Sequence, residues 1–154
     1  MSGATVLRPN FYRNVESEKT RQKSEPKNPR QREKEYLTDK EVEQLIAAAA
    51  QGRHGIRDAC MIRTAWRHGL RVSELVGLKL VDVRIEERTI HIRRVKHSVS
   101  TDHPLIESEM RPLKAWLRYR KNLNGAESPY LFINERGDAF ERRGFNYLLR
   151  ACAQ

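Results

Sequence analysis

The chain has 154 residues, with 30 Lys+Arg against 20 Asp+Glu and a net charge of +10. That length admits one domain with a modest core, and that charge favours a polyanionic partner, nucleic acid first, although it also suits ribosomes or acidic membranes. No apolar run approaches the ~18 residues of a membrane span, and the opening MSGATVLRPNFYR lacks the apolar stretch of a signal peptide. Cys60 and Cys152 sit in apolar helical contexts without metal-ligand spacing, so the expectation is a reduced, cytoplasmic protein with no disulfide framework.

Residues 1–34 are polar and basic and have almost no apolar periodicity. Such a segment cannot bury enough surface to offset its ordering entropy, and it reads as a flexible N-terminal arm. Structure is expected to start at YLTDKEVEQLIAAAAQG, where Thr38 and Glu41 have capping-box spacing and Leu37 and Val42 have the spacing of a hydrophobic staple. Val42, Leu45, Ile46 and Ala49 share one helical face, and Gly52 supplies the stop.

A second helix is expected over 56–68, with Ile56, Ala59, Ile62, Ala65 and Trp66 on its apolar face and Gly69 closing it. A short third helix follows at 73–78, capped by Ser73, with Leu75, Val76 and Leu78 inward. RTIHIRRV alternates Ile90 and Ile92 with polar neighbours, and STDHPL reads as its return strand. Residues 88–105 are therefore a hairpin turning near 97–100.

A long helix is expected over 107–122, with Met110, Leu113, Trp116, Leu117 and Arg120 at helical spacing. Pro112 fits it only within the first turn, where its missing N–H is harmless. SPYLFINERGDAF is an apolar stretch with a Gly-Asp turn, and RRGFNYLLRACAQ begins a last helix. The fold class is mainly α with a small antiparallel β-hairpin, α+β.

The stretch HGLRVSELVGLKLVDV carries the chemistry. Arg71 lies between one helix stop and the next helix, where a guanidinium and free backbone N–H groups both favour an anion, and a phosphate accepts the bidentate fork of an arginine. Glu74 is placed to orient that guanidinium. The same spacing equally fits a structural Arg–Glu pair bridging two helices.

Gly69, Arg71, Ser73, Glu74, Leu75, Leu78 and Asp82 in this order resemble the first arginine box of the tyrosine recombinases, or phage integrases. The opening helices, the hairpin ending HPL and the helix with the LKAWL core resemble the same family, over about 36–154. Within the family the chain resembles the short fimbrial-switch invertases. The resemblance implies that 35–154 is the first part of a recombinase catalytic domain acting on double-stranded DNA, without cofactor, membrane or small-molecule substrate, in the bacterial nucleoid. It makes Arg71 a catalytic residue supported by Glu74. It also makes Lys96, eight residues before Pro104, the acid that protonates the leaving 5′ oxygen. Arg93, Arg94 and His97 on the basic hairpin are expected at the DNA.

The family also needs a His-x-x-Arg box and a nucleophilic tyrosine after these elements. His54…Arg57, His68…Arg71 and His91…Arg94 match the spacing, but all fall too early in the chain. None of Tyr12, Tyr36, Tyr119, Tyr130 and Tyr147 follows such a box, and Tyr147 reads as a helix-packing residue. The resemblance thus implies a chain cut before the nucleophile, able to bind DNA and inactive alone, with the tetramer of longer members a property of a full-length form. A reading from another class is a non-catalytic DNA-binding module with a helix-turn-helix at 56–78. The apolar character of its second helix counts against it.

Overall fold

The computed structural model describes residues 36–94 and 99–154. The arm over 1–34, together with Lys96 and His97, lies outside the described residues.

Helix α1, Asp39–Ala50, starts on the expected capping box: Glu41 N–H donates to Thr38 Oγ1 and Thr38 N–H donates to Glu41 Oε2 at 2.8 Å. Val42, Ile46 and Ala49 are buried, whereas Leu37 is exposed, so the staple does not form a buried contact. Helix α2, Gly55–His68, ends at Gly69, whose φ of 58° is the left-handed cap that glycine adopts without strain.

The buried positions of α2 include Cys60, Met61 and Ile62 but also Arg57, Asp58, Thr64 and His68. Ile56 and Trp66, expected inside, are 47 % and 42 % exposed. The helix packs against α1 on one side and against a later helix on another, so no single apolar stripe describes it.

Helix α3 spans Val72–Val76, and its cap is Arg71 rather than Ser73. Glu74 replaces the expected serine by accepting the Arg71 N–H at 2.9 Å. Leu75 and Leu78 enter the core as expected. Five residues with Glu74 and Leu75 buried cannot present a recognition helix to a DNA groove, which removes the structural basis of a helix-turn-helix at 56–78.

A 3₁₀ turn at Leu80–Asp82 leads into β1, Val83–Arg84. It pairs with β2, Thr89–Ile92, which pairs with β3, Thr101–Pro104, in an antiparallel sheet ordered β1-β2-β3. The expected hairpin is present in the register Ile90↔His103 and Ile92↔Thr101, and β1 is a third strand that the sequence pattern did not reveal. Alternation turns Ile90 and Ile92 into the core, and Thr89, His91 and Arg93 the other way.

Helix α4, Glu107–Arg120, has Pro112 as its sixth residue, beyond the first turn. Proline has no N–H for the Ser108 carbonyl, and Ser108 is exposed, so water can serve that acceptor. Met110, Leu113 and Trp116 are buried on the face that meets α2.

Arg120 shares that face, and its guanidinium donates to the carbonyls of Ala126, Ser128, Tyr130 and Leu131 at 2.7–3.2 Å. Trp116 Nε1 donates to the same Leu131 carbonyl at 2.9 Å. These bonds hold Leu131, Phe132 and Ile133, all fully buried, across the centre of the core. Helix α5, Arg142–Cys152, contributes Phe145 to the core. Tyr147 is 76 % exposed, because two residues on from Phe145 a helix has turned about 200°. It is not the packing tyrosine expected.

Candidate nucleic-acid interface

The site is built where α2 stops, α3 starts and β2 ends. Gly69 turns the chain, and Arg71 is the residue from which α3 grows. The Glu74 side chain is 1 % exposed and faces back toward this junction. Its Oε1 accepts Arg71 Nη1 at 2.8 Å, and its Oε2 accepts the Arg71 backbone N–H at 2.9 Å.

A second guanidinium arrives from the sheet. Arg94 Nη1 donates to Glu74 Oε2 at 2.9 Å and to the Gly69 carbonyl at 3.2 Å, while Nη2 donates to the His68 carbonyl at 3.3 Å. Those two carbonyls are among the last of α2, which lack helical partners and attract a cation.

The two arginines differ in exposure. The Arg71 side chain is 53 % exposed and Arg94 19 %. The Arg71 guanidinium is therefore fixed at one corner and open to solvent along the rest. Among the described residues no acceptor is bonded to its Nε or Nη2. A half-exposed, carboxylate-oriented guanidinium of this kind can accept one tetrahedral dianion or phosphodiester oxygen pair through its free edge.

The expected anion site at the α3 backbone is not free: the Arg71 N–H is taken by Glu74. Arg93 lies on the other face of β2, half exposed, with Nη2 donating to Asp82 Oδ1 at 2.6 Å. Asp82 is buried, and its Oδ2 accepts the Lys79 N–H at 2.8 Å. Consecutive arginines at the end of β2 thus reach two different buried carboxylates, and the strand exit is tied to the Arg71 junction through Glu74.

The sequence pattern included Asp82 in the arginine box but missed its partners, Arg93 and the Lys79 N–H, and the second partner of Glu74. The available signal was the acid three residues after the chain turns into a helix, present in RVSE and KLVD as plainly as in TDKE.

The outer face of the sheet is polar. Asp102 accepts His91 Nδ1 at 2.7 Å and Arg84 Nη2 at 2.6 Å, and these bonds hold its carboxyl below the usual carboxylate range. Each histidine of the three His-x-x-Arg matches is turned to a carboxylate: His54 to Glu135 at 2.6 Å, His68 to Glu109 at 2.8 Å and His91 to Asp102.

Cys60 is fully buried, and desolvation pushes its thiol up to about 12, which makes it a packing residue rather than a nucleophile. Among the described residues no helix is long and apolar enough to cross a membrane.

A buried carboxylate, a half-exposed arginine at a helix junction and a second arginine from the end of β2 stand together on a mainly helical scaffold with a three-stranded sheet. Residues 35–154 match the phage integrase family, and the chain belongs to it. It is 40 % identical over 116 residues to the type 1 fimbriae regulatory protein FimE of Escherichia coli K12 and 34 % over 118 residues to FimB of the same strain. These alignments cover 75 % and 77 % of this chain and 59 % of each relative. Over 91 % of its length it is 34 % identical to tyrosine recombinase XerD of Ralstonia nicotianae, of which it covers 46 %.

Among solved structures it is similar to XerA recombinase, with a TM-score of 0.65 and 26 % identity over 77 % of this chain and 41 % of that one. XerH site-specific recombinase bound to difH in a pre-cleavage complex shares the fold, with a TM-score of 0.54 and 23 % identity, over 73 % of this chain and 36 % of that one. The chain spans somewhat more than half the length of the fimbrial relatives it matches.

Proposed function

We propose that this chain binds duplex DNA as the first part of a tyrosine-recombinase catalytic domain and takes part in site-specific strand breakage and rejoining. One observation carries the reading: the guanidinium of Arg71 is held by a buried carboxylate at one corner and left half exposed at the others. A purely structural arginine gains more by directing all its donors at protein, as Arg120 does.

In the proposed reaction Arg71 grips the non-bridging oxygens of one phosphodiester, and its fixed charge offsets the charge that grows there in the transition state. Glu74 orients it. Lys96, two residues beyond Arg94, donates the proton to the leaving 5′ oxygen. Arg93 and His97 lie along the DNA, and the positive charge of the chain adds non-specific attraction.

The attacking phenolate and the second arginine are not supplied by residues 1–154, so this polypeptide tested alone binds and does not cleave. Assembly into oligomers on DNA and residence at the nucleoid belong to the same proposal. DNA as the partner is supported by the XerH structure of the same fold, which is bound to difH, and by the kinship with tyrosine recombinase XerD.

The test is duplex binding by fluorescence anisotropy across a salt series, with a suicide-substrate cleavage assay beside it. The expected result is salt-dependent binding that weakens in R71A, with no covalent adduct. Equal affinity of wild type and R71A would defeat the role given to Arg71, and an adduct formed by the 154-residue chain would defeat the inactivity.

A further inference from the structure

We infer that Arg94 is a positioning residue for Arg71: by occupying Glu74 Oε2 it keeps the outer edge of the Arg71 guanidinium available for a phosphate. The inference rests on the proposed phosphate-binding role of Arg71.

A carboxylate and a guanidinium pair most strongly through two parallel bonds, and a carboxylate three residues away on a short helix is a natural partner for that fork. Arg71 does not form it. Its Nη1 meets only Oε1, while Oε2 receives the Arg71 backbone N–H and Arg94 Nη1. The second oxygen is thus occupied from the sheet side, and Arg71 retains Nε and Nη2 for an outside ligand.

Arg94 itself is poorly placed to touch DNA. Both terminal nitrogens are engaged by Glu74 and by the His68 and Gly69 carbonyls, and its side chain is 19 % exposed. Those carbonyls end α2, so Arg94 also fastens the end of β2 to the turn that carries Arg71. Its backbone N–H donates to Ser100 Oγ at 3.2 Å, which joins the exit of β2 to the approach to β3. One side chain therefore sets the state of Arg71 and ties the end of β2 to the α2–α3 turn together.

Two measurements test this. The first is a double-mutant cycle with wild type, R71A, R94M and R71A/R94M, read by anisotropy with a short fluorescein-labelled duplex of random sequence. R71A and R94M are each expected to weaken binding about tenfold, the scale of one charged hydrogen bond, and the double variant to bind no more weakly than R71A. R94K, which keeps a cation on the side of Glu74, is expected to restore affinity to within about twofold of wild type.

The second measurement needs no DNA: the ¹⁵N–¹H signal of Arg71 Nε in the free chain. In R94M it is expected to shift and sharpen as the guanidinium closes on both oxygens of Glu74. An additive cycle, an R94K variant as weak as R94M, or an Arg71 signal indifferent to residue 94 would each overturn the inference while leaving the phosphate role of Arg71 intact. Loss of any R71A effect would instead bring down that role and, with it, this one. If R94M does not fold by far-UV circular dichroism, R94K and R94Q carry both measurements: lysine is expected to hold the wild-type Arg71 signal and glutamine to lose it, and any other order overturns the inference.

Discussion

Glu74 in α3 and Glu109 in α4 are both third residues of their helices, and both accept the N–H of the residue from which the helix grows, Arg71 at 2.9 Å and Ile106 at 3.1 Å. Both are buried, at 5 % and 6 % exposure. Their counter-groups differ. Glu74 holds two guanidinium groups, one of them half exposed. Glu109 faces His68 Nε2 at 2.8 Å, inside the protein, with Arg67 at 4.0 Å on its outer side. The same local device therefore serves two purposes. Where the cation is an arginine open to solvent it presents a charge, and where it is a buried imidazole it closes a seam between α2 and α4.

Removing each carboxylate separates the two cases. Glu74→Ala leaves Arg94 poorly exposed without its carboxylate and the Arg71 N–H without its acceptor. Breaking a buried pair by deleting one partner destabilises by about 3–5 kcal/mol. Urea unfolding should show a loss in that range, together with loss of duplex binding. Glu109→Ala removes the acceptor of one backbone N–H and the carboxylate lying against a buried histidine, for which about 1–3 kcal/mol is the scale. It should leave duplex binding close to wild type. A larger loss for Glu109→Ala than for Glu74→Ala would reverse the distinction.

The histidine seam has its own signature in pH. Burial is the largest influence on His68 and lowers its pKa from the ordinary 6.5, with His103 and Arg67 acting the same way and Glu109 opposing. The contacts fit a neutral ring: His68 Nδ1 and His103 Nδ1 lie 3.3 Å apart, so one of them must be an acceptor, and His103 Nε2 meets Thr101 Oγ1 at 3.0 Å. Because the folded pKa lies below the unfolded one, the unfolded chain binds more protons in the window between them, and stability falls as pH drops below about 6.5. The loss levels off beneath the folded pKa.

Exposed carboxylates such as Asp102 and Glu135, also lowered, give a decline of the same sign that starts only near their ordinary 3.8 and 4.5. His68→Gln should therefore flatten the upper limb of a melting-temperature profile and spare the lower one. A wild-type profile that is flat between pH 7 and 5.5 would show that the seam does not titrate as the burial of His68 requires.

Much of this was legible in the residues. Capping box, hairpin, helix order and the first arginine box stand in the sequence as local patterns, and local patterns specify local structure. The failures share a cause. Ile56 and Trp66 are apolar and at helical spacing, yet exposed, because α2 is enclosed by neighbours whose placement no periodicity encodes. β1 is two residues long, too short to alternate.

Arg94 reads as one more cation on a basic strand. Only the three-dimensional approach of β2 to α3, 20 residues apart in sequence, directs it to Glu74. The His-x-x-Arg spacing shows the opposite hazard. It occurs three times by composition, and each of its histidines is occupied by a carboxylate.

The smallest expected change in stability belongs to the residue with the largest proposed role. Arg71→Ala removes a side chain that is 53 % exposed, and Glu74 keeps both the Arg71 backbone N–H and Arg94 Nη1. An ion pair so open to water contributes about 0–1 kcal/mol. Urea midpoints of Arg71→Ala and wild type should therefore nearly coincide, while their duplex affinities separate. Arg120→Met supplies the control, because it leaves the carbonyls of Ala126, Ser128, Tyr130 and Leu131 without their shared donor. That variant should lose stability without selective loss of binding. If Arg71→Ala destabilised the chain as strongly as Arg120→Met, Arg71 would be a helix-joining residue, and the contrast between a presented charge and a sealed one would disappear.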